Sequence, residues 1–245
     1  MKPWARERGF SMVELMATIS VVALLAGLSL PGLGRARQAA ANARCVSNLR
    51  QLGLAAQLYW DEHGGRAFAE RRERRGDGWV YWFGWLQDGV EGARAFDASA
   101  GALWPYLQGR GVDVCPSLNR ASPLFKPKAR GAAHGYAYNL LLGPRNGVGV
   151  NVHQVGATSS LAVLADAGQV NDFQPPASPE RPMLEEFYYF GTNALEATVH
   201  FRHGRRAGVV FVDGHVGAEL PEPGSEDGRL APQVLGRLEA AKVRP

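Results

Sequence analysis

Apolar positions are distributed unevenly along this chain, and the first dense block is continuous rather than periodic. Over residues 10–33, FSMVELMATISVVALLAGLSLPGL, the only charged side chain is Glu14. A helix rises 1.5 Å per residue, so about 20 apolar residues cross a hydrocarbon core of about 30 Å. A transmembrane helix is therefore predicted over 10–34. Pro31, with Gly32 and Gly34, is expected to kink or locally melt it, because proline removes an amide donor and crowds the preceding turn. The pattern then becomes periodic. Cys45, Leu49, Leu52, Ala56 and Tyr59 recur at spacings of four, three, four and three, giving one apolar stripe. Arg44, Asn48, Arg50 and Gln51 lie largely off it. An amphipathic helix over 35–64 is expected to lie on a sheet and to end at Gly64-Gly65.

Beyond it the pattern turns strand-like. WVYWFGWL (79–86) reads either as a buried strand within an aromatic core or as an aromatic platform for glycans or a partner, and the first is favoured. Residues 109–149 are polar and rich in Gly and Pro, as in long loops with short elements. SSLAVLAD (159–166) reads as a buried strand and PPASPERP (175–182) as a linker or surface loop. ATVHFRH (197–203) and AGVVFV (207–212) read as two more strands. Asp213-Gly214, between VVFV and HVGA, is a strong hairpin signal because both turn positions favour positive φ. From about Pro221 the chain is polar, with a short helix expected near 233–241. The fold class is α+β: a long N-terminal transmembrane-plus-amphipathic helix packed on an antiparallel β-sheet, with residues 65–245 as one β-rich domain.

Composition adds limits. The net charge of +4 is small, and its local source, AERRERRGDG (69–78), interleaves Arg with Glu as a solvated loop does, so no nucleic-acid partner is expected. P-loop, dinucleotide and Cys-x-x-Cys motifs are absent. A cleaved secretory signal would have a shorter apolar region and a small-x-small site. Lys2, Arg6 and Arg8 before the run nearly balance Arg35, Arg37 and Arg44 after it, so charge alone leaves orientation open.

A carboxylate inside a bilayer costs about 2.5–3.5 kcal/mol and is usually functional and paired. A cut between Gly9 and Phe10 would create an amine four residues before Glu14, on one helix face; the alternative is that Glu14 lies at the membrane interface. The basic leader, Gly9, Phe10-Ser11-Met12-Val13-Glu14 and the apolar helix with Pro31 resemble the N-terminal signal of type IV prepilins and type II secretion pseudopilins. Counted from Phe10, Glu14 is the fifth residue and Pro31 the twenty-second, as in that family. The resemblance implies that prepilin peptidase removes residues 1–9 on the cytoplasmic face and N-methylates Phe10. It also implies that Phe10 and Glu14 serve filament assembly. Implied partners are other pilin or pseudopilin subunits, the inner-membrane assembly machinery and the membrane itself, with the C-terminal domain outside the cytoplasm.

His203, nine residues, then Asp213-Gly214 resembles the H-x9-DG pattern of a pseudopilin-like subgroup. Arg202-His203, Cys115-Pro116-Ser117, Tyr136 to Asn139 and the run from Cys45 to Ala55 extend that likeness. The resemblance places Cys45 and Cys115 where disulfides persist and so implies that they pair; Cys45 also suits the stripe as a small buried apolar residue. His200, His203, His215, Asp213 and Asp166 raise a metal hydrolase as an alternative. However, a straight strand would hold His203 and Asp213 roughly 17–20 Å apart, and His200 and His203 would face opposite ways. Local hydrogen bonding is the favoured role for them, with no catalytic residues, no metal and no cofactor expected. The leading expectation is a structural filament subunit; a tip pilin binding a substrate or surface, and a membrane-anchored metal-dependent enzyme, are the alternatives.

Overall fold

A computed structural model describes residues 10–109, 111–112, 114–130, 135–144, 147–193 and 196–245; the leader, including Gly9, lies outside them. The chain divides into two compact units, one ending at Ala41 and the other Asn42–Pro245. A single helix, α1 (Met12–Glu62), begins in the first and ends in the second. It is the one described helix long and apolar enough to cross a membrane, by length and composition. Its large apolar side chains from Met12 to Leu28 are exposed. Of the kink or local melting expected at Pro31, the melting is not found, since helix is continuous through that position. Proline's fixed φ is itself helical, so the loss of one amide donor did not end the element.

In the second unit α1 carries the apolar stripe inward. Cys45, Leu49, Leu52 and Ala56 are buried, joined by Ala55 and Trp60. Asn48, expected off the stripe, is also buried, and its amide donates to the Tyr136 hydroxyl at 3.0 Å. The helix stops where Gly64 and Gly65 take positive φ and the Gly65 amide donates to the Trp60 carbonyl at 2.7 Å.

The strands are β1 (Arg71–Arg75), β2 (Gly78–Tyr81), β3 (Gly84–Gln87), β4 (Phe96–Asp97), β5 (Phe125–Lys126), β6 (Tyr136–Asn139), β7 (Ala162–Asp166), β8 (Gln169–Asn171), β9 (Met183–Glu185), β10 (Tyr189–Phe190), β11 (Val199–His200), β12 (Ala207–Phe211), β13 (Val216–Glu219) and β14 (Leu235–Gly236). The α+β class is found, with the strands of the described residues forming four sheets rather than one: β1-β2-β3-β4, β10-β6-β7-β12-β13, β5-β9-β8 and β11-β14, mostly antiparallel, with parallel pairing at β10/β6 and β5/β9. The five-stranded sheet is the centre. Along β12 and just past it, Val210 and Val212 join the core of the α1 stripe, while Ala207, Val209 and Phe211 join a second core with Phe190, Phe201, Leu238 and Val243. Strand alternation thus fills two layers from one segment.

Two glycines set the helix-to-sheet distance. A Cβ on Gly208 would lie 2.5 Å from Leu49 Cδ1, and one on Gly53 would lie 2.8 Å from Val210 Cγ1. Neither position has room for a methyl group.

Three local expectations change. Residues 71–75 form an edge strand, not a loop: backbone pairing with β2 needs no apolar side chains, and all five charged residues point to solvent. The strand expected over 197–203 ends at His200, and a turn with Gly204 and Arg205 at positive φ follows. The helix expected near 233–241 is replaced by β14 and a 3-10 turn at Ala240–Lys242, because pairing with β11 outweighs local helix preference. The aromatic run is core. Tyr81 and Trp82 are buried, Tyr81, Phe83 and Tyr188 form a ring cluster, and Trp82 Nε1 donates to the Tyr188 carbonyl at 3.0 Å.

Candidate functional site

At the N-terminus, Phe10 is exposed and Ser11 precedes the first helical residue. The Ser11 amide donates to Glu14 Oε2 at 2.9 Å, and the Glu14 amide donates to Ser11 Oγ at 3.2 Å. This reciprocal pair is a capping box, which satisfies two amides that a helix start leaves without partners. The Ser-x-x-Glu spacing announces it, a signal that reading Glu14 only as a charge in an apolar run passes over. Glu14 therefore has local work in the intact chain besides any partner in an assembly.

The second place is built around Asp166, at the end of β7 and fully buried. Its Oδ2 accepts from the Gly208 amide at 2.7 Å and lies 3.2 Å from His203 Nε2. Arg202 Nε lies 3.8 Å from Oδ1, and Arg202 Nη2 donates to the carbonyls of Gly135 and Ala167 at 3.0 and 2.6 Å. Burial pushes the Arg202 guanidinium below its ordinary pKa, and the nearby Asp166 and Tyr136 oppose that. Cys45 and Cys115 form a disulfide with Cα atoms 4.9 Å apart, and His203 Nε2 lies 3.5 Å from Cys115 Sγ. His203 reaches this spot from the turn after β11, a path that a straight strand over 197–203 does not contain.

The remaining candidates lie on β11 and in the β12–β13 turn. His200 lies buried on β11, and burial first, then the Arg202 charge, drives its pKa well below the ordinary value. Asp213 and His215 pair with each other in the β12–β13 turn, with His215 Nδ1 2.6 Å from Asp213 Oδ1. Gly214 closes that turn at positive φ, where a Cβ would lie 2.5 Å from Gln57 Nε2 of α1. Gln57 stands twelve positions beyond Cys45 on the helix, or about 18 Å. A strand with its turns spans a similar length. The H-x9-DG spacing thus measures one strand laid along α1, held at one end by the His203–disulfide contact and at the other by the glycine turn against Gln57.

A buried ion network is a further feature that the sequence does not announce. Glu185, fully buried on β9, takes Lys126 Nζ at 2.9 Å and Lys128 Nζ at 3.1 Å. Asn171 Nδ2 donates to it at 3.0 Å and Gln169 adds a further bond. Glu91 bonds Lys126 and lies 3.2 Å from Lys128 Nζ. Burial alone would raise the Glu185 pKa; the bond with Glu91, the Lys128 charge, Asn171 and Lys126 together lower it to about 2. The available signal was Lys-x-Lys at 126–128 facing Glu-Glu at 185–186, but nothing local links segments so far apart.

Residues 4–30 match the family described as the prokaryotic N-terminal methylation motif. No curated protein and no solved structure matches the chain. The motif is consistent with a prepilin-type signal, and with the long apolar helix it fits a single-pass membrane anchor of a type IV pilin or pseudopilin-like protein.

Proposed function

We propose that this chain is a pseudopilin-like structural subunit of a type II secretion or type IV pilus filament. Prepilin peptidase cuts it between Gly9 and Phe10 and methylates Phe10, and the subunit then assembles with other pilins through α1. The observation that carries this is the methylation-motif match over residues 4–30, continuous with one long apolar helix that starts two residues after Phe10. The cytoplasmic N-terminus and the extracytoplasmic domain belong to the same proposal. The Cys45–Cys115 disulfide supports that orientation, because disulfides persist in oxidising compartments. The H-x9-DG likeness supports the family reading and assigns no activity.

In a filament the amine of Phe10 needs an anion in an apolar bundle, and Glu14 of a neighbouring subunit supplies one. The capping box makes the test selective, since Gln at the third helical position still caps while carrying no charge. Mass spectrometry of protein from its own cells should find a mature N-terminus at methylated Phe10. Glu14→Gln should stay membrane-bound but disappear from sheared filament fractions, with Glu14→Asp intermediate. A mature chain that begins at Met1, or normal filament incorporation of Glu14→Gln, overturns the proposal.

A further inference from the structure

The β2–β3 ribbon has the composition of a segment that pairs between chains. Residues 78–86, GWVYWFGWL, hold five aromatic side chains with no charge and no proline, and such segments stack with other chains when an edge is exposed. Inside the domain Val80, Tyr81, Trp82 and Leu86 are buried, so the liability is the side of the sheet. Beyond β3 lies β4, only two residues long, and so short an edge strand offers little to pair with. Beyond β2 lies β1, whose five residues are all charged and exposed and whose outer edge has no strand partner among the described residues. Its register shifts between Arg71 and Glu73, and such an irregularity bends an edge away from flat pairing. Arg71 and Arg74 hold their guanidinium carbons 4.4 and 5.7 Å from the centre of the Trp79 ring, covering the half-buried indole. Arg74 also pairs with Asp88 at 2.9 Å, whereas the Arg72 and Arg75 guanidiniums make no ion pair or hydrogen bond among the described residues.

We infer that β1 is a guard strand, which closes the open side of the aromatic ribbon and keeps that edge from pairing with the same edge of a second copy of this chain. The order of its charges makes it selective, because RRERR (71–75) reads the same in both directions. Laid in register against a second copy, parallel or antiparallel, each arginine faces an arginine and Glu73 faces Glu73. Like charges directly opposite destabilise a strand pair. A slip of one residue in the antiparallel pair still leaves half of the opposed pairs arginine on arginine. Backbone pairing with β2 needs no particular side chain, so the ribbon gains a neighbour on this side without gaining an edge that recruits another chain. Charged residues that flank an unavoidable hydrophobic strand act as gatekeepers in the same way. The guard role is independent of the filament reading, since it applies wherever two copies of this domain meet.

The test uses the full chain in non-ionic detergent micelles and follows self-association by sedimentation velocity. Arg72→Thr, Glu73→Thr and Arg75→Thr together remove three charges of β1 and leave Arg71 and Arg74 on Trp79; threonine is polar and suits a strand. With near-ultraviolet circular dichroism unchanged, this variant should self-associate about 10-fold or more tightly than the unaltered chain. Once associated, its residues 71–75 should exchange their amide hydrogens more slowly. Raising salt from about 0.05 to 0.5 M, which screens exposed charges, should strengthen the weak self-association of the unaltered chain. A second variant reverses every sign, with Arg71→Glu, Arg72→Glu, Glu73→Arg, Arg74→Glu and Arg75→Glu. Mixed with the unaltered chain it should form a one-to-one pair, which neither forms alone. A folded threonine variant as dispersed as the unaltered chain overturns the inference, as does association that leaves residues 71–75 exchanging freely. If the threonine variant does not fold, the mixture decides: a pair supports the guard role, and its absence overturns it.

Discussion

The close seating of α1 on β12 makes a quantitative prediction at Gly208. Its backbone is ordinary strand, so Gly208→Ala tests space alone. The new methyl would lie 2.5 Å from Leu49 Cδ1 and 3.1 Å from Asp166 Oδ2. Leu49 is fully buried and cannot swing into solvent. Asp166 is held by the Gly208 amide itself at 2.7 Å. Overpacking of this kind costs about 1–3 kcal/mol. At about 2–4 °C per kcal/mol for a unit of this size, the melting midpoint should fall by roughly 2–12 °C. Leu49→Ala alone should cost about 2–5 kcal/mol through its cavity. In the double variant the methyl introduced by Gly208→Ala enters space that the Leu49 side chain has vacated. The combined loss should then be about 1–2 kcal/mol smaller than the sum, a coupling typical of residues in contact. Urea unfolding followed by the fluorescence of buried Trp60 and Trp82 supplies the four free energies. Additivity within about 0.5 kcal/mol would mean that Gly208 does not set the helix-to-strand distance.

Other outcomes follow from the buried charges and the disulfide. Lys126→Met leaves Glu185 and Glu91 short of a cation and should cost about 3–5 kcal/mol at pH 7, towards the low end because Lys128 remains. The depressed Glu185 pKa contributes stability that is present above pH 4.5 and lost as pH falls towards 2; urea midpoints at pH 7 and pH 3 should show a smaller acid loss in Lys126→Met. Glu70 behaves oppositely: burial, partly offset by Arg71, raises its carboxyl to about 7, so folding binds a proton and stability falls as pH rises from 4.5 to 7. Glu70→Gln should therefore stabilise the protein at pH 8 and be nearly neutral at pH 5, as melting midpoints will tell. Replacing both cysteines by serine opens a loop with a sequence separation of 70 and should cost about 2–4 kcal/mol in the unreduced protein, whereas an unchanged midpoint would mean the bridge constrains little.

What the sequence determined by itself was whatever depends on neighbours within a turn or two. The uninterrupted apolar run marked the membrane-length part of α1. The stripe from Cys45 to Tyr59 marked the face that meets the sheet, and Gly64-Gly65 marked its end. Asp213-Gly214 marked the β12–β13 turn. In each case the same few residues both carry the pattern and make the structure. The Ser11–Glu14 capping box is legible on the same terms. Tertiary structure decided the rest. Arg71–Arg75 has no strand-like pattern and becomes β1 only because β2 offers its backbone. Residues near 235 have a helix-compatible pattern and become β14 because β11 is beside them. His203 meets Asp166 only after a turn that a straight-strand reading cannot contain, and Lys126 meets Glu185 across 59 positions of chain. A buried charge or a paired strand is stable only through its partner, and the partner's place is set by the folding of everything between them, which no local pattern encodes.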